Sequence, residues 1–411
     1  MKKIVHHIQY LVNTRLESNV LRGAELAKLP LIQDAFLIIE NGKILRYGPM
    51  QELNNEEKAD EWIDATGAMV MPTWCDSHTH LVFAETRETE FVDKIKGLSY
   101  EAIAAKGGGI LNSARKLANC SEDELFDRAM IRLHSLMQLG TGAIEIKSGY
   151  GLSTEQELKM LRVIQRIKSA APIPVKASFL GAHTYPLAYK ENHEGYIDEI
   201  INEMLPLIAK EKLADYIDVF CEQGFFNVEE TERICKAGIA WGLKPKIHAN
   251  QLHASGGVQL GISLQAVSVD HLETMDADAI KALSNSSTIG TLLPTAAFFL
   301  RMPYQPARTL LEANAAIALA SDYNPGSSPS GNMNFVVSLS CIQMRMLPEE
   351  AINAATINGA YAMELGEELG SITPGKRANL IFMKQVPSLA YIPYSFGNNL
   401  IDKVMINGHF I

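Results

Sequence analysis

Cysteine is the first thing this chain is short of. Only five are present among 411 residues, at positions 75, 120, 221, 235 and 341, and no C-x-x-C pair occurs. An odd, scattered set excludes a disulfide framework and a cysteine-built metal site, and it fits a reducing compartment. Long apolar runs are missing as well, since none approaches the roughly 20 residues that a membrane span requires. There is no basic surplus: 37 Lys and Arg stand against 47 Asp and Glu, for a formal net charge of -10. That balance argues against a nucleic-acid surface and against docking on anionic lipid. The opening residues, Met1-Lys-Lys-Ile-Val-His-His-Ile8, contain no apolar stretch ahead of a small-residue cleavage site. The expectation is a cytoplasmic protein acting on a small molecule, with neither nucleic acid nor membrane as partner.

What is present describes an ordinary globular protein, 47% apolar and 20% charged, long enough for two or three domains. Eight short strand-like runs follow one another, most of them trailed by a helical pattern: 68–80, 142–150, 174–184, 216–224, 244–251, 266–273, 287–295 and 315–324. Strands alternating with helices imply parallel pairing through right-handed crossovers. Eight such units are what a closed (β/α)₈ TIM-type barrel requires, with an open doubly wound sheet as the alternative. Ser121-Glu-Asp-Glu124 and Ser153-Thr-Glu-Gln156 have capping-box form ahead of amphipathic runs. Both chain ends read as β-hairpins, around Asn41-Gly42 and Asn407-Gly408. Neither arm can bury a core alone, so residues 1–65 and 362–411 are expected to pair into one small β-sandwich beside a barrel of residues 66–361. Gly107-Gly108-Gly109 lacks the lysine pattern of a phosphate loop, and a mobile loop over the site is expected there.

In such a barrel the C-terminal strand ends converge on one face, so polar residues at those ends form a single site. The first run offers His78 and His80, two apart and therefore on one side of a strand. The fifth offers His248, the sixth His271, and the eighth ends in Asp322. Histidines with one carboxylate suit zinc or iron, whereas magnesium or calcium would call for mostly oxygen ligands. Taken singly, His248 or His271 also reads as a hydrogen-bonded core histidine, and Asp322 as a helix cap. Their joint placement is what points to a metal. His6, His7, His134, His193, His253 and His409 do not end strands and are taken as surface or structural residues.

The residues then resemble the amidohydrolase superfamily. The likeness spans nearly the whole chain and rests on Pro72-Thr-Trp-Cys-Asp-Ser-His-Thr-His80, Phe83-Ala-Glu-Thr-Arg87, Glu145-Ile-Lys-Ser-Gly-Tyr-Gly151, Phe179-Leu-Gly-Ala-His183, His248-Ala-Asn-Gln251, Asp270-His-Leu-Glu273, Ser321-Asp-Tyr-Asn-Pro-Gly-Ser327 and Ala355-Thr-Ile-Asn-Gly-Ala360. H-x-H marks only the superfamily. The stretches around Lys147 and Asn324 are the specific ones, and they resemble members that hydrolyse the cyclic amide of 4-imidazolone-5-propanoate to N-formimidoyl-L-glutamate in histidine degradation. The resemblance implies that His78, His80, His248 and Asp322 hold one Zn²⁺ or iron ion per chain (Fe²⁺ or Fe³⁺). It implies that Asp322 takes the proton of the attacking water, and that His271 shuttles a proton without ligating. His183 would orient the ring, Arg87 and Tyr150 would hold the propanoate, and Asn324, Gly326 and Ser327 would line the same end, with Tyr100 as a weaker wall. Family habit alone implies a homodimer.

Two positions need separate treatment. Gln251 stands where members of the family carry glutamate or glutamine, and an amide cannot be a general base, so its expected role is a hydrogen bond to the ring. Lys147 invites comparison with the carboxylated lysine that bridges two metals in some amidohydrolases. That lysine lies on the fourth strand, and here the fourth run, Val219-Phe-Cys-Glu-Gln-Gly224, has none. One metal is therefore expected, with Lys147 in a buried ion pair to Glu145 on the same strand face. The rival activities are a mononuclear metal aminohydrolase (deaminase) of a purine or pyrimidine and a catalytically silent, metal-binding barrel.

Overall fold

The computed structural model describes residues 1–54, 56–98, 108–384 and 386–411. Tyr100, and with it Gly107 of the glycine-rich stretch, lies outside the described residues. Five strands open the chain: β1 (Lys2–Val12), β2 (Leu31–Glu40), β3 (Lys43–Pro49), β4 (Glu61–Asp64) and β5 (Ala68–Pro72). Eight follow: β6 (Trp74–Asp76), β7 (Thr141–Lys147), β8 (Val175–Ala182), β9 (Tyr216–Cys221), β10 (Lys244–Ala249), β11 (Ser268–His271), β12 (Ile289–Leu292) and β13 (Ile317–Leu319). The last three are β14 (Leu380–Lys384), β15 (Ile401–Ile406) and β16 (His409–Phe410).

Strands β6 to β13 pair in sequence order, every neighbour parallel. Helices between them, such as Glu122–Gln138, Thr154–Ala170 and Val228–Ala240, bury their apolar stripes against the sheet. The ring closes just beyond the strand ends. Asp322 N–H donates to His78 O (3.0 Å), and His80 N–H donates to Tyr323 O (2.9 Å). An open doubly wound sheet would leave those edges apart, so the closed barrel is the architecture.

The other sheet is built from both chain ends, in the order β16-β15-β14-β5-β1-β2-β3 with β4 also on β1. It has its own core, in which Val5, Leu11, Leu37, Val70, Leu380 and Met405 meet. Here one expectation is corrected. The run 68–80 is not a single barrel strand, because Ala68–Pro72 pairs antiparallel with β14 and parallel with β1, and only Trp74–Asp76 enters the barrel. Thr73 marks the change of partner: its N–H donates to Asn379 O (3.1 Å), while the next N–H, of Trp74, donates to Gly140 O (2.9 Å). A continuous apolar run has no periodicity to announce such a switch.

One family-like stretch, Ala355-Thr-Ile-Asn-Gly-Ala360, proves to be joinery. Asn358 Nδ2 donates to Ile317 O (2.7 Å) and Leu21 O (2.9 Å), tying the N-terminal segment to β13. Its neighbour Gly359 lies so close to β6 that a Cβ would fall 2.4 Å from Cys75 O. At the helix starts, Ser121 and Glu124 form the reciprocal box, with Ser121 N–H donating to Glu124 Oε2 (2.9 Å) and Glu124 N–H to Ser121 Oγ (3.2 Å). Ser153 accepts from Gln156 N–H (3.5 Å), but Gln156 does not reach back and its buried carbonyl oxygen lacks a partner. That helix has half a box.

Candidate active site

The polar strand ends do converge. Rings of His78 and His248 lie 4.5 Å apart between centroids, His78 and His80 5.4 Å, and His248 and His271 5.3 Å. Ligand-capable atoms of His78, His80 and Asp322 fall within 4.8 Å of one another, and so do those of His78, His248 and His271. All five residues are buried. Asp322 reaches this position with φ 51°, a left-handed backbone held by the two hydrogen bonds that close the barrel.

Behind the rings stand carboxylates that the sequence reasoning did not single out. His78 Nδ1–H donates to Asp270 Oδ2 (2.7 Å) and His248 Nδ1–H to Asp218 Oδ1 (3.0 Å). An ionised carboxylate only accepts, so both Nδ1 atoms carry the hydrogen and both Nε2 atoms are bare. Those two Nε2 atoms are buried and have no hydrogen-bond partner. Orphaned imidazole nitrogens beside a carboxylate are costly unless a cation takes them. The donor set fits a divalent metal ion.

Lys147 holds the two carboxylates in register. Its Nζ donates to Glu145 Oε1 (2.6 Å), Asp218 Oδ2 (2.7 Å) and Asp270 Oδ2 (3.5 Å), all fully buried. The Glu145 pair expected from sequence is thus one edge of a larger network. Lys246 joins it through Glu145 Oε2, and Ser178 and Ser268 hydroxyls add bonds to Glu145 (2.6 Å) and Asp270 (2.6 Å). Burial alone would favour a neutral Lys147, but Asp218, Glu145 and Asp270 hold it protonated, above the ordinary lysine range. Asp218 is held below the usual carboxylate range by His248 and Lys147, against burial. A signal for Asp218 was present in the sequence, as the lone acid inside the otherwise apolar strand Tyr216–Cys221, where an unpaired charge is costly; Asp270, between Ser268 and His271, carried no such signal.

The remaining candidates sort by partner. His271 Nδ1 lies 3.4 Å from Glu273 Oε1, which also accepts from Gln305 Nε2 (2.9 Å). Burial works against a charge on His271, yet Glu273 and then Asp322 raise it above the usual imidazole range. Burial pushes His78 and His80 well below that range, so they stay neutral. His183 stacks on His80 (5.4 Å, 16°), donates from Nδ1 to Gly149 O (3.1 Å), and is pushed by burial down to about 3. Tyr150 is buried beside both rings, 5.9 Å from His80 and 5.6 Å from His183. Gln251 follows β10 by two residues and is half-buried.

Arg87 is not a free clamp. Its Nε donates to Glu90 Oε2 (2.9 Å), Nη2 joins the same oxygen, and Glu90 Oε1 accepts from Gly109 N–H (3.2 Å). The other face of the guanidinium lies against Gly326, where a Cβ would sit 2.2 Å from Nη1. The turn after Asp322 is also closed on itself. Gly326 and Ser327 N–H both donate to Asn324 Oδ1 (2.8 Å each), and Ser327 Oγ donates to Asp322 Oδ2 (3.2 Å). Of the excluded histidines, His253 sits nearest this face, with Nδ1 3.0 Å from the buried Glu222 and half its side chain in solvent.

Histidines on the first, fifth and sixth strands of a parallel barrel and an aspartate after the eighth define the amidohydrolase class, and the Amidohydrolase family pattern matches residues 228–411. E. coli guanine deaminase superposes with a TM-score of 0.76 at 13% identity, over 100% of this chain and 99% of its own. An adenosine deaminase from Xanthomonas campestris with bound zinc gives 0.70 at 15% identity, over 99% and 92%. These likenesses are of fold. In sequence, the imidazolonepropionase of Flavobacterium johnsoniae is 57% identical over 412 residues, spanning 100% of both chains. That of Thermoanaerobacter pseudethanolicus is 41% identical over 383 residues, 93% of this chain and 91% of its own. The chain belongs to the imidazolonepropionase family.

Proposed function

We propose that the chain is a hydrolase of a cyclic amide, opening the ring C–N bond of 4-imidazolone-5-propanoate to give N-formimidoyl-L-glutamate in histidine degradation. What carries the reading is the convergence of His78 with His80 and Asp322, and of His78 with His248 and His271, in a chain whose full-length relatives bear that activity's name. His78, His80, His248 and Asp322 would hold one zinc or iron ion, which supplies Lewis acidity and brings the pKa of water toward neutrality. Asp322, steadied by Ser327 Oγ–H, accepts a proton from the attacking water. His271, backed by Glu273, donates a hydrogen bond to the developing oxyanion, and the proton held by Asp322 passes by way of His271 to the departing ring nitrogen, leaving Asp322 ionised again. The water oxygen ends in the new carboxylate, and the ring nitrogen leaves in the formimidoyl group.

His183 and Gln251 bind the ring, while Arg87 and Tyr150 grip the propanoate. Since Glu90 occupies the Nε and Nη2 edge of Arg87, the Nη1 face beside Gly326 serves the substrate. Asn324 shapes the turn that carries Gly326 and Ser327. The enzyme works as a cytoplasmic homodimer; all five cysteines are free thiols, and no described helix is long and apolar enough to cross a membrane.

The deciding measurement follows the ultraviolet absorbance of freshly prepared imidazolonepropanoate. Metal-replete protein should remove it, chelated protein should leave it, and zinc or iron should restore the loss. Ammonia release from guanine or cytosine, without ring opening, would move the assignment to a deaminase.

A further inference from the structure

One fully buried carboxylate has no part in the chemistry above. Glu157 lies in the first turn of the helix Thr154–Ala170, and no part of it reaches solvent. Burial works against its charge and raises its pKa, opposed by a hydrogen bond from the Ser148 hydroxyl and by backbone N–H groups of the loop between β7 and that helix: Gly149 N–H donates to Oε2 (3.1 Å), and Gly151 (2.6 Å) and Leu152 (3.0 Å) donate to Oε1. Charge-assisted bonds of this kind, at a helix N-terminus, are what make a buried anion tolerable.

The loop has been shaped around this anion. Gly149 has φ 110°, and a Cβ there would fall 2.9 Å from His183 Nδ1. At Gly151 a Cβ would fall 2.3 Å from Glu157 N. Neither position accepts a side chain without moving the loop. Glu157 therefore pins the peptide before Gly149 and the peptide before Gly151, and Tyr150 is held between them. The Gly149 carbonyl, between the same two fixed peptides, accepts the Nδ1–H of His183 (3.1 Å). A carbonyl only accepts, so His183 keeps a hydrogen on Nδ1, and in that tautomer its Nε2 is bare.

We propose that Glu157 is a positioning residue for substrate recognition: through one loop it fixes Tyr150 and sets His183 as a hydrogen-bond acceptor, a form that reads a ring N–H. The inference rests on the reading of this site as the place where an imidazolone ring binds. It adds a residue outside the pocket and a direction for the His183 hydrogen bond.

The test is Glu157→Gln in the full-length, metal-replete enzyme. An amide keeps the shape but turns one acceptor into a donor facing N–H groups. KM for imidazolonepropanoate should rise at least tenfold, with kcat changed much less. Metal content should match wild type. In ¹⁵N-histidine-labelled protein, His183 should show the Nδ1–H tautomer in wild type and lose it in the variant, while His78 and His248 keep theirs. Glu157→Asp, which keeps the charge, should recover part of the KM loss and serves in place of Glu157→Gln if that variant does not fold. A wild-type His183 carrying its hydrogen on Nε2, or a Glu157→Gln enzyme with unchanged KM and tautomer, would overturn the proposal. If wild type fails to open the ring at all, the substrate reading falls, and the spectra still report on the clamp.

Discussion

Asp218 and Asp270 decide which nitrogen His248 and His78 present. Each takes Nδ1–H, so the ligating atoms point into the cluster before any ion arrives, and one ammonium, on Lys147, braces both acids. Removing such partners typically lowers metal affinity 10- to 100-fold, although they never touch the ion. Asp270→Ala should fall in that range when zinc affinity is measured by competition with a chromogenic chelator. Lys147→Met should cost at least as much, because among the described residues it leaves the group Glu145, Asp218 and Asp270 with one lysine ion pair, that of Lys246 with Glu145. An unchanged affinity in both variants would mean that the histidines orient themselves.

At the scale of single elements, the C-terminal face is held by acids that turn inward to catch loop amides. Glu157 holds the loop after β7, Glu222 accepts from Leu252 (2.8 Å) and His253 (3.2 Å) N–H beyond β10, and Glu90 links Arg87 to Gly109. None of this was legible in the sequence, because Glu157 and Glu90 look like any first-turn acid on an amphipathic helix, and Glu222 like any polar residue after a strand. His78, His80, His248, His271 and Asp322 were legible, because strand ends in a barrel have a known meeting point. The cap at Ser121 was legible too, since both partners of a capping box are local. Ser121→Ala should cost about 1 kcal/mol of stability, read as a shift in the denaturant midpoint with unchanged slope. A loss below a few tenths would show that the helix Glu122–Gln138 is set by packing alone. The Ser153 site warns against reading the motif mechanically, since Gln156 leaves half of it unmade.

Across the whole molecule, the division of labour between the two sheets runs through one residue. Thr73 hands the chain from β5 to β6, so a run that reads as one strand serves two cores. Length and hydropathy gave no hint of that, because partner choice is settled by distant strands such as β14. The closed barrel itself was foreseeable from eight ordered repeats, whereas the manner of its closure was not.

That closure has a consequence for how the enzyme comes apart. The hoop is fastened where His78 and His80 meet Asp322 and Tyr323, so its buckle and the proposed cation grip share His78, His80 and Asp322. Stripping the ion should slacken the fastening first: amide hydrogens of His80 and Asp322 should exchange markedly faster in chelated protein, while those of β8, which carries none of the proposed ligands, barely change. Equal acceleration everywhere would point to global loosening instead. With the proposed ion seated at the buckle, loss of metal and loosening of the hoop become one event, and inactive chain is expected to be the first to unfold.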